Sequence, residues 1–222
     1  MSHDSFVLGA DGIYRSPLFE QFGWLWHGFG TRRANAPAAI TLRQVHSDRA
    51  LNAAGLADRE AEGDALVTDE VGRAIGIRTA DCVPMLFVDV RTRAVAAVHA
   101  GWRGTAAGIS QRAIEKMALD FATSPEDIYV AIGPCIRLCC YEVGPEVAGR
   151  FESILPGSIS SGVSQNLDLP AANRRQLQQA GVLLDHIDDS NLCTACRLDE
   201  FFSYRREPQN PGRLVASITR TE

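Results

Sequence analysis

Two imidazoles and a thiol, His46, Cys82 and His99, are the side chains best suited to chemistry in this sequence. Cys82 stands just before the apolar run Val83–Val90, and His99 stands just after Ala94–Val98. The polar Arg91-Thr92-Arg93 joins the two runs. Two apolar runs about a short polar break predict a β-hairpin. A turn centred near Val90–Arg91 sets residues 82 and 99 opposite one another on one face, with Cβ atoms roughly 5 Å apart. His46 closes a separate strand-like segment, Ile40–His46. Two imidazoles and a thiolate suit zinc, and three protein ligands leave a fourth position for water. The same pair permits a second chemistry, in which His99 deprotonates Cys82 to make a nucleophile. Asp81 then orients the imidazole or acts as a base, unless it is a turn residue capping the strand entry. A buried thiol beside an unrelated histidine is the plain alternative to both.

Other groups cluster around these three. Ala100-Gly101-Trp102-Arg103-Gly104-Thr105 separates a strand from a helix. Glycines there let the backbone approach a ligand, and a helix N-terminus favours an anion. Arg103 adds a bidentate phosphate contact in that reading, and a solvated arginine in a tight turn is the alternative. Arg43, Gln44 and Arg78 lie close in sequence to the proposed ligands and are further candidates for holding phosphate or substrate. Cys135, Cys139 and Cys140 fit no common zinc spacing and read as small, partly buried residues. Cys193-x-x-Cys196 has redox or zinc spacing, but no second CxxC partners it.

The elements that must position these residues are many short strands and about three helices. Phe6–Ile13, Trp24–Phe29, Ala65–Thr68, Ala74–Arg78 and Ile128–Ile132 read as strands. Thr105–Phe121 has helical spacing, Pro145–Leu155 is a second helix, and Pro170–Ala180 a third, started by Asp168 and ended by Gly181. Ser124-Pro125-Glu126 begins one helical turn. Pro156–Gln165, rich in Ser and Gly, is a surface loop, and the tail places short strands around Cys193–Cys196 and Phe201–Arg206. Strands and helices do not alternate regularly, so the expected class is α+β with mixed sheets rather than a doubly wound parallel fold.

The chain has 222 residues, which suits one large domain, and no linker or repeat divides it. Lys+Arg 22 against Asp+Glu 27 gives −5, so no basic surface argues for nucleic acid. No apolar run approaches the roughly 18 residues of a membrane span, and the N-terminus shows no signal-peptide pattern. A cytoplasmic protein is expected. The six cysteines therefore read as reduced rather than as staples. The chain is expected to be a monomer or a homodimer, and Phe201-Phe202, taken as an exposed aromatic pair, is the feature that points to the dimer.

Several ordered motifs, LRQVHSD, EGDALVTD, TADCVPMLF, AVHAGWRGTAAGI, AIGPCIRLCCYEVGPEV, NLDLPAANRRQL and FFSYRR, together resemble the bacterial YfiH/YlmD-type proteins, also labelled polyphenol oxidases or laccase-domain proteins. The likeness runs from about Trp24 to the C-terminus. It implies a single α+β domain over residues 1–222, with zinc held by His46, Cys82 and His99. It implies phosphorolysis of adenosine, inosine and methylthioadenosine, and deamination of adenosine, with nucleoside and phosphate as partners. Asp81 is then the candidate proton shuttle, and Arg103, Arg43 and Arg78 the phosphate holders. The older label implies copper-dependent phenol oxidation, with copper entering by substitution. That activity asks for many histidines, and the chain has five, His3 among them. A kinship to Cys–His deamidase toxins supports the nucleophile alternative, a Cys82–His99 cysteine hydrolase, and a non-catalytic zinc-binding module is the remaining alternative. The chain departs from the family pattern in its short Arg33–Thr41 segment and in Arg137-Leu138, which replaces Gly-Pro.

Overall fold

The computed structural model describes residues 6–37, 39–157, 165–209 and 212–222. His3 and most of the expected loop after Pro156 lie outside these. In chain order the strands are β1 (Val7–Leu8), β2 (Tyr14–Arg15), β3 (Leu25–Phe29), β4 (Ala50–Asn52), β5 (Ala65–Thr68), β6 (Ile75–Thr79), β7 (Val83–Asp89), β8 (Val95–Ala100), β9 (Ile128–Ile132), β10 (Glu142–Val143), β11 (Gln165–Asn166), β12 (Ile187–Asp189) and β13 (Leu214–Arg220). The α-helices are α1 (Trp102–Ala106), α2 (Ile109–Phe121), α3 (Pro145–Ala148) and α4 (Leu169–Gln179).

A mixed six-stranded sheet, β12-β9-β7-β8-β5-β4, forms the middle layer. On one face Val67, Met85, Phe87, Ala96 and Val98 pack against Ile109, Ala113 and Met117 of α2 and Leu169 and Leu177 of α4. On the other, Leu66, Leu86, Val88 and Ala97 meet Phe29, Ile75, Ile77 and Ile218 of an antiparallel sheet, β1-β2-β3-β13-β6. A strand covered on both faces has no reason to alternate. That is why β7 and β8 read as unbroken apolar runs. The class is α+β with mixed sheets, as the element pattern implied, with four α-helices among the described residues.

The β7–β8 hairpin forms, in a different register. Val88 pairs with Val95 and Pro84 with His99, so the turn centres between Arg91 and Thr92. Asp89 sets it there by accepting bonds from Arg91 N at 2.8 Å and Thr92 Oγ1 at 2.6 Å. Cys82 therefore precedes the strand across from Gly101, not His99. Side chains alternate with a period of two, so a two-residue offset keeps Cys82 and His99 on one face.

Other expectations fail for local reasons. Ile40–His46 is not a strand; it makes isolated bridges at Ile40–Ile75 and Arg43–Glu62. Phe6–Ile13 breaks into β1 and a turn before β2. The predicted helix from Thr105 divides, because Gly108 takes φ +85° between α1 and α2, a left-handed conformation natural to glycine. The helix from Pro145 stops at Ala148 and tightens into a 3-10 turn over Gly149–Phe151. The tail does hold short strands, β12 and β13, but around Cys193–Cys196 it makes an isolated bridge from Cys193 to Cys135 followed by a turn. Phe201 is fully buried and Phe202 lies under the Arg32 guanidinium at 4.4 Å, so this pair is internal and gives no support to a dimer.

Candidate active site

His46, Cys82 and His99 converge. Each offers one donor atom, and the three lie within 4.8 Å of one another. Cys82 Sγ is 3.9 Å from Nε2 of His46, and the two imidazoles meet edge-on with centroids 4.9 Å apart. His99 is buried, Cys82 half-buried and His46 exposed, so the cluster faces outward from the end of the hairpin.

Asp64, at the entrance to β5, organises the cluster. It is fully buried, and its Oδ1 lies 2.8 Å from Nδ1 of His99. The same carboxylate accepts the backbone N–H of His46 at 3.0 Å, that of Ser47 at 2.6 Å and the Ser47 hydroxyl at 2.7 Å. Burial opposes charge on Asp64, but these bonds from His99 and Ser47 hold its carboxyl below the usual carboxylate range. Burial likewise opposes charge on His99; the Cys82 thiolate and Asp64 outweigh it and hold the ring up at about 9. Cys82 answers in the opposite direction. Burial raises its thiol, and the His99 and His46 rings bring it down to about 6. The lowered thiol favours the thiolate, the form that both a metal ligand and a nucleophile require.

The glycines of the loop after β8 work differently from the sequence reading. A Cβ on Gly101 would lie 2.8 Å from His46 Cδ2 and 3.0 Å from Cys82 Sγ. A Cβ on Gly104 would lie 3.0 Å from the Ser47 carbonyl. They allow the loop to pack against the His46 segment and Cys82. Helix α1 is tied in turn to α4: Asn173 Nδ2 donates to Thr105 Oγ1 at 3.0 Å, and Gln176 Nε2 to the Thr105 carbonyl at 2.8 Å.

The cluster borders a cavity of about 860 Å3, within the range of small-molecule sites. Arg59, Arg78, Arg103, Arg205 and Arg213 line it, and Asp81 is its one carboxylate among the described residues. Arg103 lies over the Trp102 ring at 4.4 Å. Arg43 does not reach the cavity; its guanidinium donates to the carbonyls of Arg59 and Glu60 at 2.9 and 2.8 Å. Gln44 lines the cavity, but both ends of its amide bond the backbone of Arg78 at 2.8 Å. Asp81, at φ +85°, does not orient His99. It accepts from Thr194 Oγ1 at 2.6 Å, Ser203 Oγ at 3.1 Å and Arg205 N at 2.7 Å. Asp64, Arg59, Arg205 and Arg213 were missed by reasoning from sequence. Asp64 and Arg205 fall inside the EGDALVTD and FFSYRR motifs, where residue type alone gave them no role.

These features define an α+β domain that brings imidazole and thiolate donors to the edge of a basic, small-molecule cavity. The chain belongs to the multi-copper polyphenol oxidoreductase laccase family, whose profile matches residues 29–221. It is 42% identical over 198 residues to the purine nucleoside phosphorylase YlmD of Geobacillus stearothermophilus, covering 82% of this chain and 72% of that one. It is 40% identical over 197 residues to the adenosine deaminase RL5 of an unknown prokaryotic organism, covering 82% and 74%. The crystal structure of the Geobacillus stearothermophilus YlmD superposes with a TM-score of 0.86 at 30% identity, over 99% of this chain and 100% of the other. That of Bacillus licheniformis YfiH gives 0.85 at 26%, over 96% and 98%. Among the described residues no helix is long and apolar enough to cross a membrane.

Proposed function

We propose that this protein is a zinc-dependent purine nucleoside enzyme, phosphorolysing adenosine, inosine and methylthioadenosine and deaminating adenosine. The observation that carries the reading is the His46–Cys82–His99 cluster, braced by Asp64, on the border of an arginine-lined cavity. The names of the relatives support the substrate class.

The donor set fits zinc. One thiolate and two imidazoles are ligands that zinc accepts, and the Asp64 bond occupies Nδ1 of His99, so Nε2 is the nitrogen left for a metal. Zinc held by these three residues supplies Lewis acidity at the edge of the cavity. The remaining work falls to the chain. Arg103 and Arg78 hold phosphate, and Ile136, Tyr141 and Leu169 offer apolar surface to the purine. Asp81 receives three hydrogen bonds, which leaves one acceptor position on a carboxylate. In deamination we assign it the proton that passes from water to the departing amine.

Zinc-loaded protein, incubated with adenosine, tests this. Adenine and ribose 1-phosphate form only with phosphate present, and inosine forms with or without it. If neither adenine nor inosine appears, the reading is wrong.

The lowered Cys82 thiol also favours a second reading, a cysteine nucleophile with His99 as its base. Iodoacetamide labelling of Cys82 in metal-loaded protein supports the nucleophile, and protection supports the ligand. Copper phenol oxidation has less donor support. His27 is buried with Nε2 bonded to Ser16 N, and His186 is stacked on Tyr129 at 3.7 Å. Oxidation that appears only after copper loading marks metal exchange.

A further inference from the structure

Cys139, Cys140, Cys193 and Cys196 take no part in the reaction above, and folding gathers them at one place. The turn ending at Cys140 and the turn Cys193–Cys196 meet although Cys140 and Cys193 stand 53 positions apart in the sequence. The CxxC thus has a partner that its sequence neighbourhood does not show. All four sulfurs lie within 4.8 Å of one another. Cys139 Sγ is 3.6 Å from both Cys193 and Cys196, and Cys140 Sγ is 3.3 Å from Cys196.

We propose that these four thiolates form a structural zinc site, separate from the histidine-containing cluster. Four sulfurs around zinc at about 2.3 Å define a tetrahedron with edges of roughly 3.8 Å, close to the separations found. A disulfide needs sulfurs about 2.05 Å apart, and all four cysteines are free. Cys196 is within reach of Cys139 and Cys140 alike, which suits a shared ion better than one bonded pair.

The backbone assembles the site without help from the sulfurs. Cys135 N donates to the Leu192 carbonyl at 3.2 Å, and Thr194 N to the Cys135 carbonyl at 3.0 Å. Arg137, at the root of one turn, grips Asp189 with two bonds of 2.6 and 3.0 Å. Four thiolates and one dication carry a net double negative charge. The guanidiniums around them offset it: Arg205 reaches the Cys140 carbonyl at 3.5 Å, and Arg206 the Ala195 carbonyl at 3.2 Å. Cys139 and Cys196 are exposed, which gives an ion its way in. The site has a purpose in the fold. Thr194, between the two CxxC cysteines, bonds Asp81, and Tyr141, next to Cys140, lines the cavity. An ion here clamps that wall.

Zinc content of the purified full chain and of two double variants tests the proposal. His46→Ala/His99→Ala is expected to keep one equivalent, and Cys139→Ser/Cys196→Ser to lose one relative to the unmutated chain. Cobalt loaded into the histidine variant should show the charge-transfer absorption of four thiolates. If the serine variant does not fold, the unmutated chain decides. The four cysteines should resist iodoacetamide when zinc-loaded and react after chelation. A histidine variant without zinc, iron in its place, or an intact mass short by two hydrogens from a disulfide overturns the assignment. No nucleoside enters these measurements, so the result stands apart from the fate of the proposed activity.

Discussion

Asp64 Oδ1 lies 2.8 Å from Nδ1 of His99, and the same buried carboxylate takes the His46 backbone N–H at 3.0 Å. One anion therefore holds both imidazole-bearing segments. His46 sits at φ +60°, a conformation that costs a non-glycine residue energy. The N–H groups of His46 and Ser47, turned onto Asp64, keep it there. The carboxylate also fixes which nitrogen of His99 faces the cluster.

Asp64→Asn is expected to weaken zinc binding about 10- to 100-fold, the usual cost of losing a carboxylate behind a histidine ligand. The amide nitrogen cannot accept a bond, and it would face a donor on His46 or Ser47. Chelator competition measures the affinity, and circular dichroism checks the fold. Affinity equal to that of the unmutated protein in a folded variant removes Asp64 from the positioning role.

Gly101→Ala should abolish tight metal binding. Its Cβ would press on His46 and Cys82 from 2.8 and 3.0 Å, contacts that require one ligand to move. The control is Gly23→Ala, where a Cβ meets nothing within 4 Å. Metal content and adenosine turnover of the two variants should separate, with both falling for Gly101→Ala alone.

The pairing of Cys82 with His99 was legible because β7 and β8 are buried on both faces and so stand out as apolar runs. Its register was not, since the Asp89 side chain decides where the chain turns. The parity of the strand rescued the pair. Ile40–His46 carried the pattern of a strand, yet its end turns toward Asp64 instead of extending a ladder. Asp64 itself was hidden. It is one carboxylate among many, and only tertiary convergence singles it out. The four cysteines were hidden for the same reason, since their pairing is set by the Cys135–Cys193 bridge rather than by spacing. Arg43 was misplaced because nearness in sequence to a ligand says nothing about which way a long side chain runs.

The arginines separate by test. Arg103→Ala and Arg78→Ala are expected to raise the KM for phosphate about tenfold or more, since a charge-assisted bond contributes roughly 1.5–3 kcal/mol. Arg43→Ala should leave it unchanged, because that guanidinium is spent on the carbonyls of Arg59 and Glu60. Initial rates at varied phosphate, with adenosine held saturating, read the difference. Equal effects of Arg43→Ala and Arg103→Ala would refute the placement of phosphate near Arg103.

His27 predicts how stability follows pH. Burial, with the nearby Arg15 charge, pushes its ring down to about 3, and Nε2 must stay unprotonated to accept the Ser16 N–H at 3.0 Å. The unfolded chain takes up a proton near pH 6.5, so between about 6.5 and 3 the unfolded state binds more protons than the native one. The stability contributed by neutral His27 is complete above 6.5 and is lost as pH falls. The loss is about 2 kcal/mol between pH 7 and 5, the slope approaching roughly 1.4 kcal/mol per unit once the unfolded ring is protonated. His27→Gln keeps an acceptor for Ser16 and cannot titrate. Urea unfolding at pH 7, 6 and 5 should show a shallower decline for this variant, whatever its stability at pH 7, because the other histidines titrate alike in both proteins. Parallel declines would mean that the His27 ring is already charged in the folded protein.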